Sequence, residues 1–387
     1  MKFAIYDISD IFVGGTPSTQ NESYWGGTIP WLSVNDFKGD NKYVYSAEKT
    51  ITELGLKKSA TKLLNKNDII ISARGTVGEL AVIPYKMAYN QSCYGLKAKE
   101  DLVNSDYLYY ILKNSVDNIK RKSYGSVFDT ITINTFKDIV IDLPNLEYQR
   151  IVSNFLSNID LKIEINNKIN DNLEQQMFLI FEDMMVKAKN NKINGNYTVA
   201  KNLAQVITGK EDANFSVLNG RYKFFTCSNT PLRCNEYFFN SSSVLIAGNG
   251  DFNIKHYSGK FNAYQRTYVL SPEKKYYALL YLSSLYRINS FKLNSSGSIV
   301  KFITKGDVEN IPVFIPDDSI YLEELNKLLL LKEQNSIENE ELIQLRDSLL
   351  PILMNGQATI GDWYAKLSFI SLSSNFNRIF SIYYISI

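Results

Sequence analysis

Apolar residues recur at helical steps through two long stretches of the chain. From about Leu146 to Ala188 they fall at Val152, Leu156, Ile159, Ile163, Leu173, Met177, Ile180 and Met184. The alternating steps of three and four draw a heptad seam. The seam is polar in its middle, where Asn166 and Asn170 stand in register. From about Tyr321 to Leu353 a second seam carries Leu325, Leu328, Leu342, Leu349 and Leu353, with Lys332, Asn335 and Asn339 at its middle. Each stretch follows a proline that closes a strand-like run, Pro144 after DIVIDL and Pro316 after NIPVFI. Asp317 and Asp318 stand where acids favour a helix start. The pattern predicts two long helices.

A different pattern precedes each of them. Residues 1–144 hold short β-like runs, IPWLSV, DIIISA, LAVIPY, TITI and DIVIDL, punctuated by Gly, Asn and Asp. One helix is expected at about Ser105–Ile119. Residues 195–316 show the same plan, with YKFFT, SSVLIA, TYVLS, KFIT and IPVFI and a helix near Tyr276–Ile288. The likeness is an internal repeat: SYGSVFDTITINTFKDIVIDLP (123–144) aligns without gaps on SSGSIVKFITKGDVENIPVFIP (295–316). Upstream, DIIISARGTVG resembles SVLIAGNGDFN, and YNQSCYGL resembles AYQRTYVL. The chain is a globular domain and a long helix, written twice. The expected class is α+β with a pseudo-two-fold internal repeat. Its segments are 1–144, 145–190, 195–316, 317–356 and an atypical tail, 357–387. The tail contains FISL and IFSIYYISI, both far shorter than the ~20 apolar residues that span a bilayer. An added edge strand, an appendage and readthrough past an older end all remain open for it.

Composition narrows the function. Hydrophobic residues make up 45% and aromatics 13%, enough to fill two cores. Three cysteines, Cys93, Cys227 and Cys234, form no CxxC pair and no disulfide framework. Cys93, in a strand-like run, is expected in a core. One histidine, His256, leaves little room for a zinc site or a histidine-based triad, and in KHYSGK it reads as a loop residue on the surface or against a phosphate or base. The opening MKFAIYDISD is no secretory signal, so a reducing cytoplasmic setting is expected, with no membrane partner. The net charge of +2 hides an uneven distribution. Residues 195–316 carry 14 basic and 7 acidic side chains, and residues 317–387 carry 5 and 10. A polyanion would be drawn to the third segment.

Catalytic signatures are missing from the text of the sequence. There is no phosphate-binding G-x-x-x-x-G-K-[ST] loop, and GNGDFN (248–253) reads as a turn rather than a dinucleotide fingerprint. No Asn-Pro-Pro or Asp-Pro-Pro tetrad offers a methylation site for a flipped base. What stands out are paired polar loops: RKSYGSVFDT with NSSGSIVK, and YNQS with YQRT. Arg and Gln can bond bidentately to guanine and adenine edges, and Ser and Thr can bond phosphates.

The plan resembles the specificity subunit of type I restriction–modification systems. The resemblance lies in GGTPS (14–18), YWGGTIPWLSVNDF (24–37), SARGTVG (72–78), YNQS, LPNLEYQRIVSNFLSNID (143–160) and LRDSLLPILMNGQ (345–357). It covers residues 1 to about 360. The second half departs from it, with VITGK (206–210) where GGTPS would stand.

The resemblance implies two target recognition domains of mixed α/β structure, separated by two long antiparallel helices that form a coiled coil. It implies a bipartite target in double-stranded DNA, two methyltransferase subunits and restriction subunits as partners, and no catalysis by this chain. S-adenosylmethionine, ATP and magnesium would bind the partners. The candidate DNA-contacting residues, read from their own chemistry, are Arg74, Gln91, Arg121, Lys122, Tyr124 and Ser126 in the first half. In the second half they are Lys255, Gln265, Arg266, Ser296, Ser298 and Lys301. A fused restriction–methylation relative and a protein-binding coiled-coil scaffold are the competing readings.

Overall fold

A computed structural model describes residues 1–123, 130–250, 252–294 and 302–356. The chain divides into two compact units. One is Met1–Glu164 together with the described residues from Glu340 onward; the other is Ile165–Asn339. Both contain β-sheets and helices, and each holds part of both long helices.

In the first unit the chain runs β1 (Lys2–Ala4), α1 (Ile5–Ile8), β2 (Ser9–Val13), β3 (Trp25–Leu32), β4 (Lys49–Ile51), α2 (Glu53–Lys57) and β5 (Leu63–Leu64). It continues β6 (Ile69–Ser72), β7 (Leu80–Val82), β8 (Met87–Tyr89), β9 (Cys93–Ala98), α3 (Ser105–Ser123), α4 (Ile133–Asp138) and β10 (Val140–Asp142), before α5 (Leu146–Lys189). Two four-stranded sheets form, in the orders β2-β9-β6-β7 and β4-β3-β8-β5, and β1 pairs with β10. The run IIIS of β6 is buried along its whole length, as expected for a strand covered on both faces. Ile69 and Ile71 join the core with Leu108 and Leu112 of α3, while Ile70 joins a second cluster with Ala81 and Leu32. Val152, Leu156, Leu349 and Leu353 of the long helices belong to the first of these cores.

The start of α5 is fixed by its own sequence. Asn145 caps it, its Oδ1 accepting from the Tyr148 N–H at 2.8 Å. Gln149, fully buried, donates to the carbonyls of Leu102 (3.1 Å) and Pro144 (2.9 Å) and accepts from the Asn104 N–H at 2.9 Å. One amide thereby closes three backbone groups that would otherwise be buried unpaired. Further along, Ile159 and Ile163 cluster with Leu342 of the last helix. Arg346, 0% exposed, bonds Asp160 through Nη1 at 2.7 Å, and the Tyr110 hydroxyl donates to the other Asp160 oxygen at 2.5 Å.

The second unit continues β11 (Gly195–Val199), β12 (Val206–Thr208), β13 (Tyr222–Phe225), β14 (Leu232–Cys234), β15 (Phe239–Ala247), β16 (Ile254–Ala263) and β17 (Thr267–Leu270). Then come α6 (Tyr277–Asn294), α7 (Lys305–Glu309), β18 (Pro312–Pro316) and α8 (Ile320–Met354). One six-stranded sheet has the order β12-β17-β15-β16-β13-β14, and β11 pairs with β18. The plan of the first unit is legible in it: β3 pairs parallel with β8, and β13 pairs parallel with β16. Where β16 runs unbroken, the first unit has two strands, because Pro84 between β7 and β8 cannot donate to a ladder. Within this unit the polar middle of the seam is paired. Asn166 Nδ2 donates to Asn339 Oδ1 at 2.9 Å, Asn335 Nδ2 donates to Asn170 Oδ1 at 3.0 Å, and Lys332 meets Glu174 at 2.6 Å.

Three sequence expectations are corrected. TITI and the described part of KFIT are not strands. Thr132 and Thr304 instead cap α4 and α7, each in a reciprocal capping box with the residue three positions on, Thr135 and Asp307. His256 is not in a polar loop. It lies on β16, its ring 4.8 Å edge-on from that of Tyr281, with Nδ1 3.2 Å from Glu333 Oε1.

Candidate DNA-reading surface

In the first unit three segments meet on one residue. The Ala73 N–H donates to the Ser92 carbonyl at 2.7 Å, and the Ala73 carbonyl accepts from the Ile131 N–H at 3.0 Å. Arg74 follows Ala73 in the loop between β6 and β7, and Gln91 precedes Ser92 in the turn between β8 and β9; both are exposed. The GGTPS segment lies over that turn. The Gly14 N–H donates to Cys93 O at 3.3 Å and the Gly15 N–H to Tyr89 O at 3.0 Å. A Cβ on Gly14 would stand 2.1 Å from the Asn90 carbonyl, so only glycine fits. Thr16 then donates its hydroxyl to Gln91 Oε1, orienting the amide.

The second unit builds the same junction from a different sequence. The Gly248 N–H donates to Arg266 O at 2.8 Å, and Gly248 O accepts from the Ile303 N–H at 2.8 Å. Ile131 and Ile303 are equivalent in the sequence repeat as well. Gln265 and Arg266 are exposed in the turn before β17. Gly209, from VITGK, takes the place of Gly14. Its N–H donates to Thr267 O at 3.0 Å, and a Cβ on it would stand 2.1 Å from Ala263 O. VITGK, which stands where GGTPS does in the first half, has kept that one steric requirement and lost the rest of the motif.

Lys255 sits half-buried on β16. Its ammonium donates to Thr226 O at 3.3 Å and to Asn253 Oδ1, and burial pulls its pKa down to about 8. Arg121 and Lys122 lie in the last turn of α3, with side chains outside the described set. Tyr124, Ser126, Ser296, Ser298 and Lys301 also lie outside the described residues. The described residues therefore bring together Arg74 with Gln91, and Gln265 with Arg266 and Lys255. Thr16 of GGTPS and Thr226 join them through contacts with distant segments, and Asn253 joins from two residues before Lys255. Cys93 is buried in β9, and that burial raises its thiol to about 12.

The sequence matches the type I restriction modification DNA specificity domain twice, over residues 1–175 and 179–346. The chain belongs to that family. Among specificity-subunit relatives, the EcoDI specificity subunit of Escherichia coli is 40% identical over 164 residues, which are 41% of this chain and 37% of that subunit. The MjaIX specificity subunit of Methanocaldococcus jannaschii is 25% identical over 407 residues, covering 92% of this chain and 93% of that one. A type I S subunit from M. genitalium shares the fold, with a TM-score of 0.55 at 19% identity, over 92% of this chain and 96% of that one. As a specificity subunit the chain has two target recognition domains, and the repeated junction is the feature they share. No helix among the described residues is long and apolar enough to cross a membrane.

Proposed function

We propose that each recognition domain of this specificity subunit reads one half of a bipartite target in double-stranded DNA. The observation that supports the reading is the recurrence, in both units, of one backbone junction with exposed amide and guanidinium side chains on it. Gln91 and Gln265 suit adenine edges, and Arg74 and Arg266 suit guanine edges or phosphates. Arg121, Lys122, Tyr124 and Ser126, and Ser296, Ser298 and Lys301, precede Ile131 and Ile303 of these junctions in the sequence and are further candidates for DNA contact.

In this reading α5 and α8 pair antiparallel as a coiled-coil spacer, a role supported by the seam contacts inside each unit. Two methyltransferase subunits and the restriction subunits assemble on the chain in the cytoplasm. S-adenosylmethionine, ATP and magnesium serve those partners, and this chain performs no catalysis. The test replaces residues 1–144 with the matching domain of another specificity subunit and maps the methylated motif in cells carrying the whole system. One half of the motif should change and the other should persist. A change in both halves would reject the two-reader arrangement.

A further inference from the structure

The two units place very different residues at one ladder position. In the first, Ala81 on β7 pairs with Ile70 on β6, which pairs with Gly95 on β9. In the second, Lys255 on β16 pairs with Leu245 on β15, which pairs with Val269 on β17. Ala81 is 0% exposed, in an apolar cluster with Ile70 and Leu32. A lysine at the equivalent place brings an ammonium ion where the other copy has core, and burying a charge is costly unless something pairs with it. Among the described residues nothing charged does. Its acceptors are a backbone carbonyl, Thr226 O, and a neutral amide, Asn253 Oδ1. An ammonium carries three N–H groups, so one donor remains.

The head group is held in place rather than loose. Asn253 is fixed by its own Nδ2, which donates to Cys227 O at 2.6 Å, and by its carbonyl, which accepts from the Ala247 N–H at 3.0 Å. That second bond ties Asn253 to the end of β15. Gly248, the next residue, is bonded to Arg266 O, and the Cys227 thiol also reaches Arg266 O, at 3.5 Å. Lys255 is thus linked, through Asn253 and Cys227, to the turn carrying Gln265 and Arg266.

We propose that Lys255 selects a guanine in the second half-site, donating its remaining N–H to the O6/N7 edge, with Asn253 as its positioning residue. This rests on the reading of the second domain as a recognition domain. Phosphate contacts are served by mobile, solvated lysines, whereas this ammonium is oriented in advance and partly stripped of water. Guanine presents two acceptors in the major groove. Thymine presents O4 alone beside its methyl group, adenine sets an N6 donor beside its N7 acceptor, and cytosine N4 is a donor, so each offers the cation less than guanine does. An unmatched buried charge is what makes such a contact discriminating.

The test uses the assembled complex with full-length chain. Its affinity is measured for a duplex carrying the methylated motif and for every single-base variant of the second half-site. The unmodified complex should reject replacement of one guanine by about 5- to 150-fold. Lys255→Met should flatten discrimination at that position alone. Asn253→Asp, which keeps the lysine but gives it a carboxylate partner, should flatten the same position. Discrimination in the first half-site, read by the other unit, should stay unchanged in both variants and reports that the complex has assembled. Lys255→Met losing affinity equally for all duplexes would make Lys255 a phosphate anchor and overturn the proposal. Unchanged discrimination in both variants would overturn it as well. Absence of any discrimination in the second half-site by the unmodified complex would instead reject the recognition-domain reading itself.

Discussion

Replacing Arg346 should destabilise the first unit severely, and replacing its partner at the same time should undo most of the damage. Arg346 is 0% exposed, and its Nη1 lies 2.7 Å from Asp160, whose side chain is 3% exposed. Arg346→Met leaves the Asp160 carboxylate buried with only the Tyr110 hydroxyl to accept from. Breaking a buried ion pair from one side costs about 3–5 kcal/mol, because the remaining charge has been desolvated without compensation. Asp347 and Asp40, 2.9 and 3.6 Å from the guanidinium, lose a partner too, but both are exposed and rehydrate. The cost is therefore carried by Asp160. Among the described residues Arg346 Nη2 has no hydrogen-bond partner even in the intact protein, so the pair is itself imperfectly satisfied. The double variant Arg346→Met/Asp160→Leu removes both charges and the orphaned donor, and should return to within about 1–2 kcal/mol of the starting stability. Urea unfolding of the four proteins of the cycle gives the coupling directly. A single Arg346→Met variant costing under about 1 kcal/mol, or a double variant as unstable as the sum of its singles, would refute the reasoning.

Asn166→Leu/Asn339→Leu should raise the melting temperature in a thermal scan. The pair makes one mutual hydrogen bond at 2.9 Å, but among the described residues the buried Asn166 Oδ1 has no partner, a deficit of about 1–3 kcal/mol. Gly209→Ala should abolish second half-site recognition in a binding assay and leave the first intact, and Gly14→Ala should do the reverse, since either Cβ would stand 2.1 Å from a carbonyl oxygen. Lys255 should give stability a rise with pH. Its folded pKa, about 8, lies below the ~10.4 of a free lysine. Between these values the unfolded chain binds the extra proton, so stability climbs with pH from about 8 to about 10 and is level outside that window. Urea titrations over that range should show the climb in the unaltered chain and not in Lys255→Met.

The long helices were the most legible part of the sequence. Expected at about 146–188 and 321–353, they run Leu146–Lys189 and Ile320–Met354, because a seam of many apolar residues outweighs any local ambiguity. The repeat was equally plain at 123–144 and 295–316, and its equivalent residues Ile131 and Ile303 each bond to the junction of their own unit. TITI and KFIT misled because alternation over four residues cannot outvote a threonine cap whose partner lies three residues on. His256 looked like a loop residue since polar neighbours surround it, yet a strand alternates, and its ring points at tyrosines of α6 while Lys255 points the other way. The candidate site was visible residue by residue in Gln91 and Gln265. Its supporting contacts were not, because Thr16 reaches Gln91 across 75 residues and Thr226 reaches Lys255 across 29.

The first unit is assembled from the two ends of the chain. Its core needs Leu349, Leu350 and Leu353 beside Val152 and Leu156, and those leucines are made about 200 residues later. At roughly 5–20 residues per second on the ribosome, the nascent first domain waits on the order of ten to forty seconds with part of its apolar surface uncovered. A premature stop anywhere in the second half would strip the cover from the first, even though every strand of that first domain had already been synthesised. Translation errors late in the message are thus felt at its beginning, and a chaperone that shields Val152 and Leu156 would find its substrate during that interval.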